Sequence, residues 1–113
     1  MDKLTRYREL IREILTDYIA LDQRHPDPEV DSYLIADEQT DDYIWMNLGW
    51  KAGERVSGST IHVRIRNGKI RIEEDWTEEG LATELLAAGV PHEDTVLAFQ
   101  PPEMRQYTEF AAA

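Results

Sequence analysis

Cysteine is absent from the 113-residue chain, so neither a disulfide framework nor a thiolate metal site can be built from it. Long apolar runs are missing too: nothing approaches the roughly 20 residues that a membrane-spanning helix needs. The opening Met1-Asp2-Lys3-Leu4 runs into a charged helical pattern rather than a signal peptide. Lysine is scarce, at Lys3, Lys51 and Lys69 alone, and two residues before these stand Met1, Gly49 and Asn67. The acid-x-lysine element of a metal-dependent nuclease therefore occurs nowhere, although Pro26-Asp27 could open such a pattern. Serine is confined to Ser32, Ser57 and Ser59, none of them in a Gly-x-Ser-x-Gly elbow. Histidine occurs at His25, His62 and His92, too widely spaced for a short local metal motif. Gly49, Gly53 and Gly58 fit neither a phosphate-binding loop nor a dinucleotide fingerprint. These gaps point to a cytoplasmic protein that is not an enzyme and needs no cofactor.

Positive charge is also in deficit. Against 23 acidic residues stand 12 basic ones, a net charge of −11, which repels nucleic-acid phosphates on average and makes bulk DNA affinity an unfavourable expectation. The distribution is uneven. Residues 25–54 hold eight acids against Lys51, and residues 73–113 hold ten against Arg105, whereas residues 55–72 carry Arg55, Arg64, Arg66, Lys69 and Arg71 with no acid.

What the sequence does contain is periodicity. Leu4, Tyr7, Leu10, Ile11, Ile14, Leu15, Tyr18 and Leu21 recur at three- and four-residue steps, predicting a long amphipathic helix with Arg6, Glu9, Glu13 and Asp17 toward solvent. His25-Pro26-Asp27-Pro28 is expected to end it. Four strands are predicted next. Those at 30–37 and 43–50 carry adjacent apolar residues, so at least one is expected to be covered on both faces. The strand at 60–66 alternates cleanly, with Ile61, Val63 and Ile65 inward and His62, Arg64 and Arg66 outward. Asn67-Gly68 then suits a type I′ turn into a strand with Ile70 and Ile72 inward. A helix is expected to follow, with Thr77 as N-cap, Leu81, Ala82, Leu85 and Leu86 buried, and Gly89 as its stop. The stretch 92–99 reads equally as a short helix or a last strand, and 103–110 as one more helical turn. Residues 1–113 are expected to form a single α+β domain, a long N-terminal helix and C-terminal helices packed on a mostly antiparallel sheet of about four strands.

The basic hairpin is the candidate contact site. Arg64, Arg66, Lys69 and Arg71 share an outward face able to touch phosphate or an acidic partner. The competing expectation is that cross-strand acids near Asp37 or Glu73 neutralise that face. The acid groups Asp37-Glu38, Asp41-Asp42 and Glu73-Glu74-Asp75 do not chelate a cation by themselves, because adjacent strand residues point to opposite faces. Trp45, Trp50, Trp76 and Phe110 amount to more aromatic surface than a small core readily hides, which suggests a homo-oligomer.

Several ordered segments carry a family likeness: Met1-Asp2-Lys3-Leu4-Thr5-Arg6-Tyr7-Arg8, Asn47-Leu48-Gly49-Trp50 and Asp75-Trp76-Thr77-Glu78-Glu79-Gly80-Leu81-Ala82. They continue with Ala88-Gly89-Val90-Pro91-His92-Glu93-Asp94 and close with Tyr107-Thr108-Glu109-Phe110-Ala111. In this order and spacing the chain resembles the XisI-like family, small proteins described as fdxN-element excision controlling factors. Trp76, Thr77, Glu78, Glu79, Gly80, Arg105, Glu109 and Phe110 fall at family-motif positions, while Gln100 and Gln106 depart from the pattern, where histidine and proline are more usual. The resemblance implies control over excision of a DNA element, with a recombinase doing the cutting and a nuclease-like XisH-like protein as partner. It supplies no catalytic residue.

Overall fold

The computed structural model describes residues 2–22 and 29–113. The predicted proline break at 25–28 lies outside the described residues. Helix α1 (Lys3–Asp22) follows the apolar stripe: Tyr7, Ile11 and Leu15 are buried, and Leu4, Leu10, Ile14, Tyr18 and Ile19 pack partly against the core. Leu21 alone leaves the stripe and stands exposed. Asp2 caps the helix, its carboxylate accepting the Thr5 N–H at 2.8 Å.

The strands β1 (Val30–Asp37), β2 (Asp42–Lys51), β3 (Glu54–Arg66) and β4 (Lys69–Asp75) form an antiparallel meander. A fifth strand, β5 (Thr95–Leu97), pairs with β4 in parallel, so the order is β1-β2-β3-β4-β5. The sheet thus has five strands rather than about four. A parallel neighbour cannot be reached by a tight turn, and the crossover is α2 (Leu81–Ala87) with a 3-10 turn at His92–Asp94. The ambiguous stretch 92–99 is therefore both short helix and strand. A last short helix, α3, spans Pro102–Arg105.

One side of the sheet carries the core. Tyr43, Trp45, Ile61, Val63, Ile65, Ile70 and Ile72 alternate inward and meet Tyr7, Ile11 and Leu15 of α1 and Leu81 and Leu85 of α2. Polar links fasten α1 to the sheet. Arg8 donates to both oxygens of Asp41, at 2.8 and 3.1 Å, and Tyr43 adds its hydroxyl to the same carboxylate at 3.2 Å. At the other end the Tyr7 hydroxyl donates to Asp94 at 2.5 Å, with Lys3 3.1 Å from the same carboxylate.

Helix α2 begins later than expected, and Thr77 is not its N-cap. Gly80 occupies that position without a side-chain cap. The capping acceptor is Asp75, whose carboxylate receives Leu81 N–H at 2.6 Å from Oδ2 and Thr77 N–H and hydroxyl at 2.9 and 2.6 Å from Oδ1. Thr77 is the donor in this arrangement because its hydroxyl closes a local turn on Asp75 instead of reaching α2. At the other end Gly89 takes φ +94 while Val90 N–H reaches Leu85 O at 3.0 Å, a Schellman closure.

Candidate protein-interaction surface

The opposite side of the sheet has no helix over β1 and β2. Strand alternation sends Ile44, Met46, Leu48 and Trp50 of β2 outward, and the register sets Ile35 beside Ile44 and Tyr33 beside Met46. The result is a continuous apolar stripe. Tyr33, Ile35, Leu48 and Trp50 are exposed, Trp50 to 53%, and Ile44 and Met46 are half-buried. The expectation that a strand here would be covered on both faces is met on one face only: β2 is apolar on both, and on the outer one the Arg55 guanidinium lies over the Trp50 ring, 5.3 Å from its centroid, but no helix among the described residues packs there. On β1, Asp31 and Asp37 share this face and stand at either end of the Tyr33–Ile35 pair.

The outward arginines of β3 and β4 border it on the other side. Asp42 sits among them: His62 Nε2 lies 2.9 Å from its Oδ1, Arg64 Nε 3.2 Å from the same oxygen, and Arg66 3.9 Å from Oδ2. Burial pushes the Asp42 carboxyl upward, but hydrogen bonds from His62 and Thr40 and the Arg64 charge hold it below its ordinary value. Arg66 also donates to Thr40 O at 2.5 Å and Ile65 O at 2.8 Å. Arg71 pairs with Glu73 at 3.5 Å, and the Lys69 ammonium donates to the carbonyl of Ala113. All four predicted contact residues thus share one face, as alternation required, and each has an acidic or carbonyl partner. Glu73 is one of the neutralising acids expected; the central one is Asp42, not Asp37.

The family-motif positions divide in two. Arg105 donates to Ala98 O at 3.0 Å and Gln100 O at 3.1 Å, Glu109 stands 3.4 Å from His92, and the Phe110 ring lies 5.6 Å from that of His92. These three fasten the C-terminal segment, whose Ala111 bridges to Val96 and closes the β5 edge. Thr77 and Gly80 shape the turn into α2. Trp76, Glu78 and Glu79 instead point to solvent, Trp76 with 76% of its surface exposed. Of the aromatic residues expected to seek cover, Trp45 is in the core and Phe110 is half-buried, while Trp50 and Trp76 remain outside. Sequence reasoning missed the apolar stripe as a site; its signal was the run Tyr43-Ile44-Trp45-Met46 followed by Leu48 and Trp50, too apolar for a strand with one wet face.

Among the described residues no three His, Asp or Glu side chains are grouped to hold a metal ion, and no helix is long and apolar enough to cross a membrane. The XisI family profile, described as XisI protein, matches residues 1–112. The chain belongs to the XisI family. Solved relatives agree over nearly the full length. A XisI-like protein from Anabaena variabilis ATCC 29413 superimposes with a TM-score of 0.92 at 40% identity, covering 97% of this chain and 99% of that one. The fdxN element excision controlling factor XisI from the same organism gives 0.87 at 45% identity, over 99% and 100%. No curated protein matches the chain. The XisI fold is thus the α+β arrangement described above, and the open face and the motif loops can be read as parts of a XisI protein.

Proposed function

We propose that this XisI protein is a cytoplasmic, non-catalytic regulator that acts by docking a partner protein on the open face of its sheet. The partner is the XisH-like protein that the family resemblance implies. The observation that carries this reading is the apolar stripe of Tyr33, Ile35, Ile44, Met46, Leu48 and Trp50 on a face without a helix. Apolar surface of that extent on a small domain marks a protein contact more readily than a solvated face. A nucleic-acid partner is disfavoured by the net charge of −11 and by the pairing of Arg64, Arg66, Lys69 and Arg71.

Control of excision at one remove follows from this arrangement. A regulator that binds a nuclease-like companion needs a complementary surface, not a catalytic set. Co-expression with the XisH-like companion, followed by purification through a tag on the companion at moderate salt, is expected to bring the XisI protein along. Failure to co-purify overturns the reading, and so does stable pairing of the open face with a second copy that excludes the companion.

A further inference from the structure

A groove of about 340 Å³ opens at the end of β4, lined by Glu73, Glu74, Asp75, Trp76 and Phe99. Its two aromatic rings are exposed, Trp76 to 76% and Phe99 to 49%, yet the backbone beneath each is held. Trp76 N–H donates to Thr60 O at 3.0 Å, and the Asp75 carboxylate fixes the residues on its far side. Phe99 N–H donates to Ile72 O at 3.2 Å, while Arg105 grips the carbonyls on either side of Phe99, those of Ala98 and Gln100. Two large rings are thus presented to solvent on fixed supports, which lowers the entropy lost when something docks between them.

The charge on the groove's own lining is of one sign. No basic residue lines the groove, and Glu78 and Glu79 follow directly in the chain. Ser59 donates to one oxygen of Glu74 and leaves its charge intact. Arg71, outside the lining, forms the ion pair with Glu73 at 3.5 Å, but Glu73 Oε2 receives no hydrogen bond from it, and Glu74 has no cationic partner among the described ion pairs.

We infer that this groove is a binding site for an arginine side chain presented by a segment of a protein partner. The guanidinium plane stacks against the indole of Trp76 with Phe99 as the facing wall, and its N–H groups reach the carboxylates of Glu73 and Glu74. Arginine suits this better than lysine, because its planar, weakly hydrated cation can stack and donate at once. The inference does not depend on the open face of β1 and β2: it concerns other residues and is tested with a peptide, without the companion protein.

The probe is a short peptide of alternating arginine and glycine, titrated into the full chain and followed by calorimetry and by the Trp76 indole N–H resonance. Saturable binding that weakens with salt is expected, with Trp76→Ala and Phe99→Ala each costing about tenfold in affinity. Glu74→Gln is expected to cost severalfold, the same peptide with citrulline for arginine to lose binding, and Trp50→Ala to change nothing. Trp76→Ala alters an exposed side chain and decides the matter if Phe99→Ala does not fold. The inference is overturned if the wild type does not bind, if Trp76→Ala binds as tightly as wild type, or if the citrulline peptide binds equally. Concentration-dependent shifts of the Trp76 indole without peptide overturn it as well, by assigning the groove to a second copy.

Discussion

Asp75 accepts three hydrogen bonds from two residues beyond it, and one of them is a helix N–H that nothing else caps. Asp75→Ala is therefore expected to destabilise the fold by about 1–2 kcal/mol, read as a lower urea midpoint at unchanged slope. Charged residues also set the pH response. Arg8 holds the Asp41 carboxyl below its ordinary value; burial raises Asp94, but Tyr7 and Lys3 bring it below. A depressed carboxyl contributes stability that is complete above its unfolded pKa of about 4 and lost as pH falls through the lower folded value. Tyr7 and Tyr43 are pushed up to about 12, first by burial and then by Asp94 and Asp41. Their contribution is present below the unfolded value of about 10 and lost as pH rises through about 12. Urea denaturation across pH should show a plateau with both flanks falling, and Asp41→Asn should shallow the acid flank. The outward placing of Arg64 and Arg66 was legible from alternation alone. Their neutralisation by Asp42 was not, because that pairing depends on the register between β2 and β3, which no local pattern states.

Among the elements, the hairpin at Asn67-Gly68 and helix α1 were legible because each is defined by its own period. β3 was not: it runs from Glu54, through Gly58 and two serines that break the apolar alternation, because pairing with β2 extends it. β5 was legible only as one of two alternatives for a similar reason, since a three-residue parallel strand exists only through its neighbour β4. Where β1 begins, the fold depends on Gly49. A Cβ there would stand 2.0 Å from Glu29 O and 2.8 Å from Val30 Cα, at the point where Trp50 N–H bonds Glu29 O. Gly49→Ala should cost about 2–3 kcal/mol or more in thermal or urea unfolding, because backbone rather than a flexible side chain would have to move. The basic hairpin gives an opposite kind of expectation. With its cations paired, the protein should not retain duplex DNA in filter binding at physiological salt, and Arg64→Glu with Arg66→Glu should change nothing. Steeply salt-dependent binding lost in that double variant would contradict this.

At the scale of the whole molecule, one sheet face is packed against α1 and α2, and the other carries an apolar stripe on β1 and β2 beside a charge-paired hairpin. The lack of catalytic motifs was visible from the start in the sequence itself. The proposed docking face needed three-dimensional assembly: β2 is apolar on both faces in the sequence already, but Tyr33 and Ile35 join it only when pairing sets them beside Met46 and Ile44. The most direct test is a binding titration between the XisH-like companion and the XisI protein, wild type against Leu48→Asp. Leu48 is exposed, so the fold should survive the change. The expected outcome is tight association for wild type and a loss of about thirtyfold or more for the variant. Equal affinity for the two proteins, or no association of the wild type, would contradict it.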